Sequence, residues 1–257
     1  VRRLWVRWLC LLLFVAVLAF VFVNMGEWQL RRLDERKHRN AVTVANEGKP
    51  VRPFDQVFNH PITTEDEWQR VEARGTFDPA QQFVIRYRNN GDAKGYEVVT
   101  PLRTDAGPVV LVDRGFIEVP RGTQIPSTAP PPPTGPVSVV GHVRRDEHGR
   151  GGAIRPSDGQ ARLINAVALG QALGYPVADG YLSAITVTPA QQGGFAPIVL
   201  PELSDGPHFW YAVQWFMFTG IGVLGLVVFI RGDIRTRREE AAAQADRPPE
   251  MAGSAGP

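Results

Sequence analysis

Hydrophobic positions are distributed unevenly along the 257 residues. Two runs are almost free of polar side chains: "WLCLLLFVAVLAFVFVNMG", the 19 residues 8–26, and "GPHFWYAVQWFMFTGIGVLGLVVFI", the 25 residues 206–230. At about 1.5 Å of rise per residue, a helix over the first run reaches about 28 Å, the thickness of a hydrocarbon core, and the second exceeds it. Both are predicted to be transmembrane helices. The first also has the basic start of a cleaved signal peptide. Its apolar stretch is longer than an ordinary signal peptide's, however, and no small-x-small cleavage site follows. Instead the helical pattern continues through "EWQLRRLDERKHR", 27–39, so the run is read as a retained anchor.

Between the two runs the pattern changes to short alternating or apolar segments separated by turn residues. "QQFVIRYRNNGDAKGYEVVTPL" gives two strand-like runs around a Gly/Asn hairpin signal, and "RTDAGPVVLVDRGFIEVP" gives a turn at Asp105–Pro108 and a strand over Val109–Val119. "VSVVGHVRR" and "YLSAITVTP" read as further strands. "ARLINAVALGQALG" has apolar residues at 163, 164, 167, 169 and 173 and predicts a short helix stopped by Gly174 and Pro176. "IPSTAPPPPTGP", 125–136, reads as a polyproline-type linker or surface loop. The predicted fold class is a membrane protein of α+β type. Two transmembrane helices, N- and C-terminal, flank a mainly antiparallel β extracytoplasmic domain at 40–205 that carries a short helix. The tail 231–257 is predicted to be disordered.

Charge sets the direction of the chain. The net charge is +2, but residues 1–39 hold 8 Lys+Arg against 3 Asp+Glu, whereas residues 40–205 hold 15 against 18. The basic excess flanks the apolar runs, as beside a membrane surface, and no nucleic-acid partner is expected. No Lys or Arg lies between Leu163 and Ile230, and four Arg follow at 231–238. By the positive-inside rule both termini are cytoplasmic and the domain lies outside, which for a bacterial protein means a two-pass protein of the plasma membrane. The single cysteine, Cys10, sits in the first run and excludes an internal disulfide or a CxxC metal site.

Signatures of nucleophilic, zinc-hydrolase and nucleotide chemistry are absent, so an enzyme is not expected. "DRG" at 113–115 has two readings: a catalytic Asp–Arg pair, or a strand kink with a structural ion pair. His142 and His148 bracket "VRRDE" and read as a solvated strand end, since two histidines at that spacing lack the further ligands a metal needs. His38 and His60 read as surface residues. His208 stands at the outer mouth of the second run among Phe209, Trp210, Tyr211, Trp215 and Phe216. It reads either as part of an interfacial aromatic belt or as an axial ligand for haem iron.

The two anchors, taken with two segments between them, resemble the surfeit locus protein 1 family, membrane-anchored assembly factors for haem–copper cytochrome c oxidase. The resemblance covers about residues 10–235. The first signature, G-x-W-Q-x-x-R-x-x-x-K, is matched by Gly26, Trp28, Gln29 and Arg32, with Arg36 and Lys37 at its end. Val71, Gly75 and Phe77 are similar to the family's V-x-x-x-G-x-F, and Arg114, Gly115 and Phe116 to its R-G-[WF]. His208, Tyr211, Ala212 and Trp215 are similar to N-H-x-x-Y-A-x-x-W, with Pro207 in place of Asn. The resemblance implies a role in maturing the haem-bearing oxidase subunit as partner, with haem a bound transiently. It further implies that His208 is the ligand, with Trp210, Tyr211 and Trp215 around it. Trp28 and Trp215 are expected side by side. An accessory oxidase subunit without its own cofactor is the alternative. A two-span sensor is disfavoured, because the 27-residue tail carries no kinase or dimerisation pattern.

Overall fold

The computed structural model describes residues 2–120 and 122–245, which divide into two units. Among the described residues, one comprises 2–37 and 205–245, the other 38–120 and 122–204.

The first unit is a pair of helices. Helix α1 runs over Arg2–Glu47, its last ten residues belonging to the second unit. The C-terminal helix covers His208–Ala245. Both are long and apolar enough to cross a membrane. Their less exposed positions recur at three- and four-residue spacing, at 15, 18, 22, 26, 29 and 33 in α1 and at 208, 212, 215, 219 and 222 in the partner, which is the spacing of one helix face. At the far end of the pair, Trp8 Nε1 donates to Asp233 Oδ2 at 2.9 Å. The tail departs from expectation: residues 231–245 are helical, not disordered. Arg, Glu and Ala are strong helix formers, and Arg235 pairs with Glu239 one turn on at 2.9 Å. Residues 246–257 lie outside the described residues.

The second unit is an eight-stranded sheet. Its strands are β1 (Arg52–Pro53), β2 (Arg70–Phe77), β3 (Phe83–Asn90), β4 (Ala93–Thr104), β5 (Val109–Glu118), β6 (Pro136–Arg144), β7 (Gln160–Ala161) and β8 (Tyr181–Thr188). Between β6 and β8 lie two short helices, α2 (Gly151–Ile154) and α3 (Ala166–Leu173), so the C-terminal membrane helix is α4. The order is β1-β2-β6-β8-β5-β4-β3-β7, and β2 also pairs with β4. That extra pairing closes β2, β6, β8, β5 and β4 into a barrel. Inside it, Val71, Ala73, Phe77, Leu102, Val112, Val139 and Leu182 form the main core. A second cluster packs Ile164, Ala166 and Leu169 of the α3 region onto Phe83, Ile85, Val99 and Leu111. Asn165 caps α3 by accepting from Ala168 N, and Gly174, at φ +76°, ends it. Val167, expected on the apolar face, is exposed.

Closure depends on Gly75. It pairs with Val137 on one side and Thr104 on the other, and a Cβ there would lie 2.0 Å from Arg103 O. "DRG" is a strand kink without the expected ion pair. Arg114 and Gly115 together face one residue of β4, a bulge, with Gly115 at φ +125°. Asp113 Oδ1 instead accepts from Gly115 N at 3.1 Å, and its other oxygen from Ser183 Oγ. Arg114, 1 % exposed, turns to neutral acceptors: Gln82, Gln191 and the carbonyls of Pro130 and Pro131 at 2.8 and 3.0 Å. The proline-rich segment is therefore clamped to the barrel and is not a free linker. Burial pulls the Arg114 guanidinium down to about 10, so it stays charged at neutral pH.

His142 also differs from expectation. It is buried, not solvated, and its Nε2 lies 2.6 Å from Glu47 Oε2 at the end of α1. Burial lowers its pKa, against the pull of Glu47.

Burial raises the Asp113 carboxyl to about 6, against the opposing hydrogen bond from Gly115. A carboxyl raised in the fold favours the folded state while it is protonated. Its contribution is full below its ordinary value of 3.8 and is lost as pH rises through about 6. Asp113→Asn removes the charge, keeps an oxygen to accept from Gly115 N, and turns an amide N–H to donate to Ser183 Oγ. Its melting temperature should match the parent's near pH 4 and exceed it by several degrees at pH 7. Thermal unfolding in detergent, followed by tryptophan fluorescence across that range, measures the gap. A gap that does not widen with pH would show that ionised Asp113 is well accommodated.

Candidate functional site

Within the helix pair the two anchor signatures meet. His208, the first residue of α4, places Nδ1 2.8 Å from Gln29 Oε1 of α1. One turn toward the apolar centre, Gly26 is buried against the Phe216 ring, and a Cβ at 26 would lie 2.7 Å from it. Ala212 is buried as well. Small residues on both helices thus allow a close approach. Deeper, Trp215 packs on Phe22 with ring centroids 5.4 Å apart and meets Phe218 edge-on. His208, Ala212 and Trp215 follow each other at four and three residues, so they line one face of α4 and that face meets α1. Trp215 Nε1 is buried without a hydrogen-bond partner among the described residues.

The remaining signature residues point elsewhere. Trp210 is 72 % exposed, and Tyr211 is exposed too. Trp28 is exposed and lies under the Arg32 guanidinium at 5.7 Å, while Arg32 pairs with Glu35 at 3.0 Å. The expected pairing of Trp28 with Trp215 does not form, because Trp215 takes Phe22, six residues earlier on α1. At this end of the helix pair a polar contact between the helices joins Gln29 to His208. Gly75, Arg114 and Gly115 belong to the barrel unit, where each closes or clamps the sheet.

The His208–Gln29 pair has a chemical consequence. With the Gln29 carbonyl oxygen accepting, Nδ1 carries the imidazole proton and the lone pair resides on Nε2. This is the arrangement in which a neutral histidine ligates a metal while a neighbour fixes its tautomer and ring orientation. The donor set suits haem iron, which takes a neutral imidazole nitrogen. Phe209 and Trp210, the next two residues of the chain, are exposed and meet edge to face at 5.3 Å.

The chain matches the SURF1 family over residues 16–220. It belongs to that family. SURF1-like proteins of Mycobacterium tuberculosis and Mycobacterium bovis are each 29 % identical to it over 241 residues, 91 % of this chain and 88 % of theirs. The cytochrome oxidase assembly protein SHY1 of Saccharomyces cerevisiae is 32 % identical over 98 residues, 36 % of this chain and 24 % of that protein. The fold-class expectation, two long apolar helices at either end of a strand-rich domain, matches the structure of this SURF1 member.

Two of the interactions described were not anticipated. Gln29 was marked only by its place in a motif, and its pairing with His208 spans 179 residues, beyond any local pattern. The Glu47–His142 link spans 95.

Gly26→Leu should separate the two helices, since even a Cβ needs Phe216 to move. Val15 Cγ1 lies 3.9 Å from a Cβ built on Gly222, so a Val15→Cys/Gly222→Cys pair in a Cys10→Ala background should oxidise to a disulfide. Adding Gly26→Leu should reduce that crosslinking several-fold at similar expression. Equal crosslinking would place the contact elsewhere.

Proposed function

We propose that this SURF1-family protein acts in the assembly of haem–copper cytochrome c oxidase. In this reading its paired membrane helices hold haem a on its way to the haem-bearing subunit, with His208 as axial ligand. The observation that carries the proposal is the His208 imidazole, oriented by Gln29 with Nε2 left for iron. The similarity to the yeast cytochrome oxidase assembly protein supports the assembly role. When bound, the haem would bring the redox-active iron that the oxidase needs, and this chain's residues would do the handling. Gln29 holds the proton on Nδ1. Gly26 and Ala212 bring the helices close. Phe209 and Trp210 offer an exposed apolar surface for the porphyrin to lie against. No residue is given a catalytic role, and the protein is read as a carrier.

Two measurements test this reading. Deleting the gene in a haem a-producing host should lower assembled, haem a-containing oxidase without lowering its subunits' transcripts. Protein purified in detergent from such a host should show a haem a spectrum. Normal oxidase in the deletion strain, with no paralogue present, would reject the assembly role. An accessory subunit would instead remain in the mature oxidase at fixed stoichiometry without haem of its own.

The same reading places both termini in the cytoplasm and residues 40–205 outside, on the strength of the Arg cluster after the second span. Ser127 lies on the exposed part of the proline-rich loop. Ser127→Cys in the Cys10→Ala background should react with a membrane-impermeant maleimide in intact cells. Protection until lysis would reverse the orientation.

A further inference from the structure

On β3, Ile85 pairs with Glu97 and Arg88 with Gly95, so Arg86 and Tyr87 together face the single residue Tyr96. This is a bulge, a device that re-aims side chains. Tyr87 sits at φ +61°, an uncommon conformation for a bulky residue, and the residue is 61 % exposed. No burial of its own compensates that strain.

The bulge opens onto a cleft of about 280 Å³ lined by Arg86, Tyr87, Arg155, Asp158, Gln160 and Arg162. A tight turn, Ser157–Gln160, forms its floor, and β7 holds that turn against β3. The guanidinium carbons of Arg86 and Arg162 lie 5.0 and 5.1 Å from the centre of the Tyr87 ring. Arg86 Nη1 donates to neutral Gln160 at 2.9 Å, and its Nε is buried without a partner. Among the described residues, no carboxylate forms an ion pair with Arg86, Arg155 or Arg162. The one carboxylate in the lining, Asp158, accepts from Ser157.

Three arginines line this one cleft, two of them against the Tyr87 ring, and their like charges repel one another. One carboxylate in the cleft leaves two positive charges unbalanced. A single carboxylate ligand would neutralise half of that, whereas a phosphate monoester dianion neutralises all of it and matches the forked donors of arginine. We propose that this cleft binds a phosphate-class dianion, held by Arg86, Arg155 and Arg162 around Tyr87. The anion comes either as free phosphate or as a phosphomonoester lipid headgroup, which share this chemistry.

Equilibrium dialysis of the full-length protein in neutral detergent, with radiolabelled inorganic phosphate at low ionic strength, should give saturable one-to-one binding. Arg155→Gln, which removes a side chain with no described partner, should weaken it about tenfold, and Arg86→Gln with Arg162→Gln should abolish it. Arg74→Gln, whose side chain pairs with Glu72 outside the cleft, should leave it unchanged. Reconstitution separates the two sources. If headgroups fill the cleft, bilayers containing phosphatidic acid should raise the apparent Kd for phosphate relative to phosphatidylcholine alone. If free phosphate is the ligand, the two should agree. Absence of binding by the parent, or equal binding by the arginine variants with parental melting temperatures, overturns the site.

Discussion

His208→Phe should empty the purified protein of haem a while leaving its insertion and its β domain intact. Phenylalanine keeps an aromatic, apolar ring at the same depth but offers no lone pair to iron. If His208 served only as part of an interfacial belt, the ring would be sufficient and haem would stay. On the ligand reading, His208→Ala should behave like His208→Phe, since neither side chain offers a lone pair to iron. Gln29→Leu gives the graded companion. The imidazole remains, but nothing fixes the proton on Nδ1 or the plane of the ring, and haem affinity should fall about 10- to 100-fold, the usual cost of removing an outer-shell partner. The visible spectrum of each variant, normalised to protein, provides the measurement. A His208→Phe variant with parental haem content would end the ligand assignment. Trp210 and Tyr211 would then be better read as a surface for a partner helix.

The second large effect should come from Gly75. A methyl group at this position would lie 2.0 Å from Arg103 O and 2.8 Å from its carbonyl carbon. Both atoms are backbone in a strand paired on its other edge, so they cannot swing aside as the Phe216 ring can. Gly75→Ala should therefore separate β2 from β4 and open the barrel, costing about 3 kcal/mol or more. Gly75→Val should prevent a protease-resistant domain from forming. Gly151→Ala, where nothing lies within 4 Å, is the control and should change stability by about 0.5 kcal/mol or less. Limited proteolysis and thermal unfolding of the detergent-purified proteins decide the matter. A Gly75→Ala variant melting within a degree or two of the parent would mean that the β2–β4 closure contributes little.

These outcomes rest on residues whose legibility in the sequence differed. Gly75 and Gly26 were visible as motif positions, but a motif does not say what a glycine is for. One lets two strands share an edge, and the other lets a phenyl ring sit on a helix backbone. The DRG segment was legible as a kink because glycine favours positive φ. The partner of Arg114 was not, because the acceptors lie on the proline loop and on Gln82 and Gln191, up to 77 residues away. A guanidinium next to an aspartate in sequence points to the opposite side of a strand, so their adjacency predicted the wrong pair. Strand β2 was not read as a strand from the sequence, where only Val71, Gly75 and Phe77 were marked, as motif positions. Its charged residues at 70, 72 and 74 alternate with the buried Val71 and Ala73, and this signal could have found it.

The sequence by itself determined the elements whose physics is local. Two uncharged runs long enough for a bilayer, their basic flanks, the hairpin turns and the capped short helix all follow from neighbours within a few residues. The tertiary structure alone decided which elements meet. Closing the barrel, bringing Gln29 to His208, and gathering Arg86, Arg155 and Arg162 into one cleft beside Tyr87 each join segments far apart in the chain. Such contacts depend on packing and register, which many sequences with the same local pattern would satisfy differently.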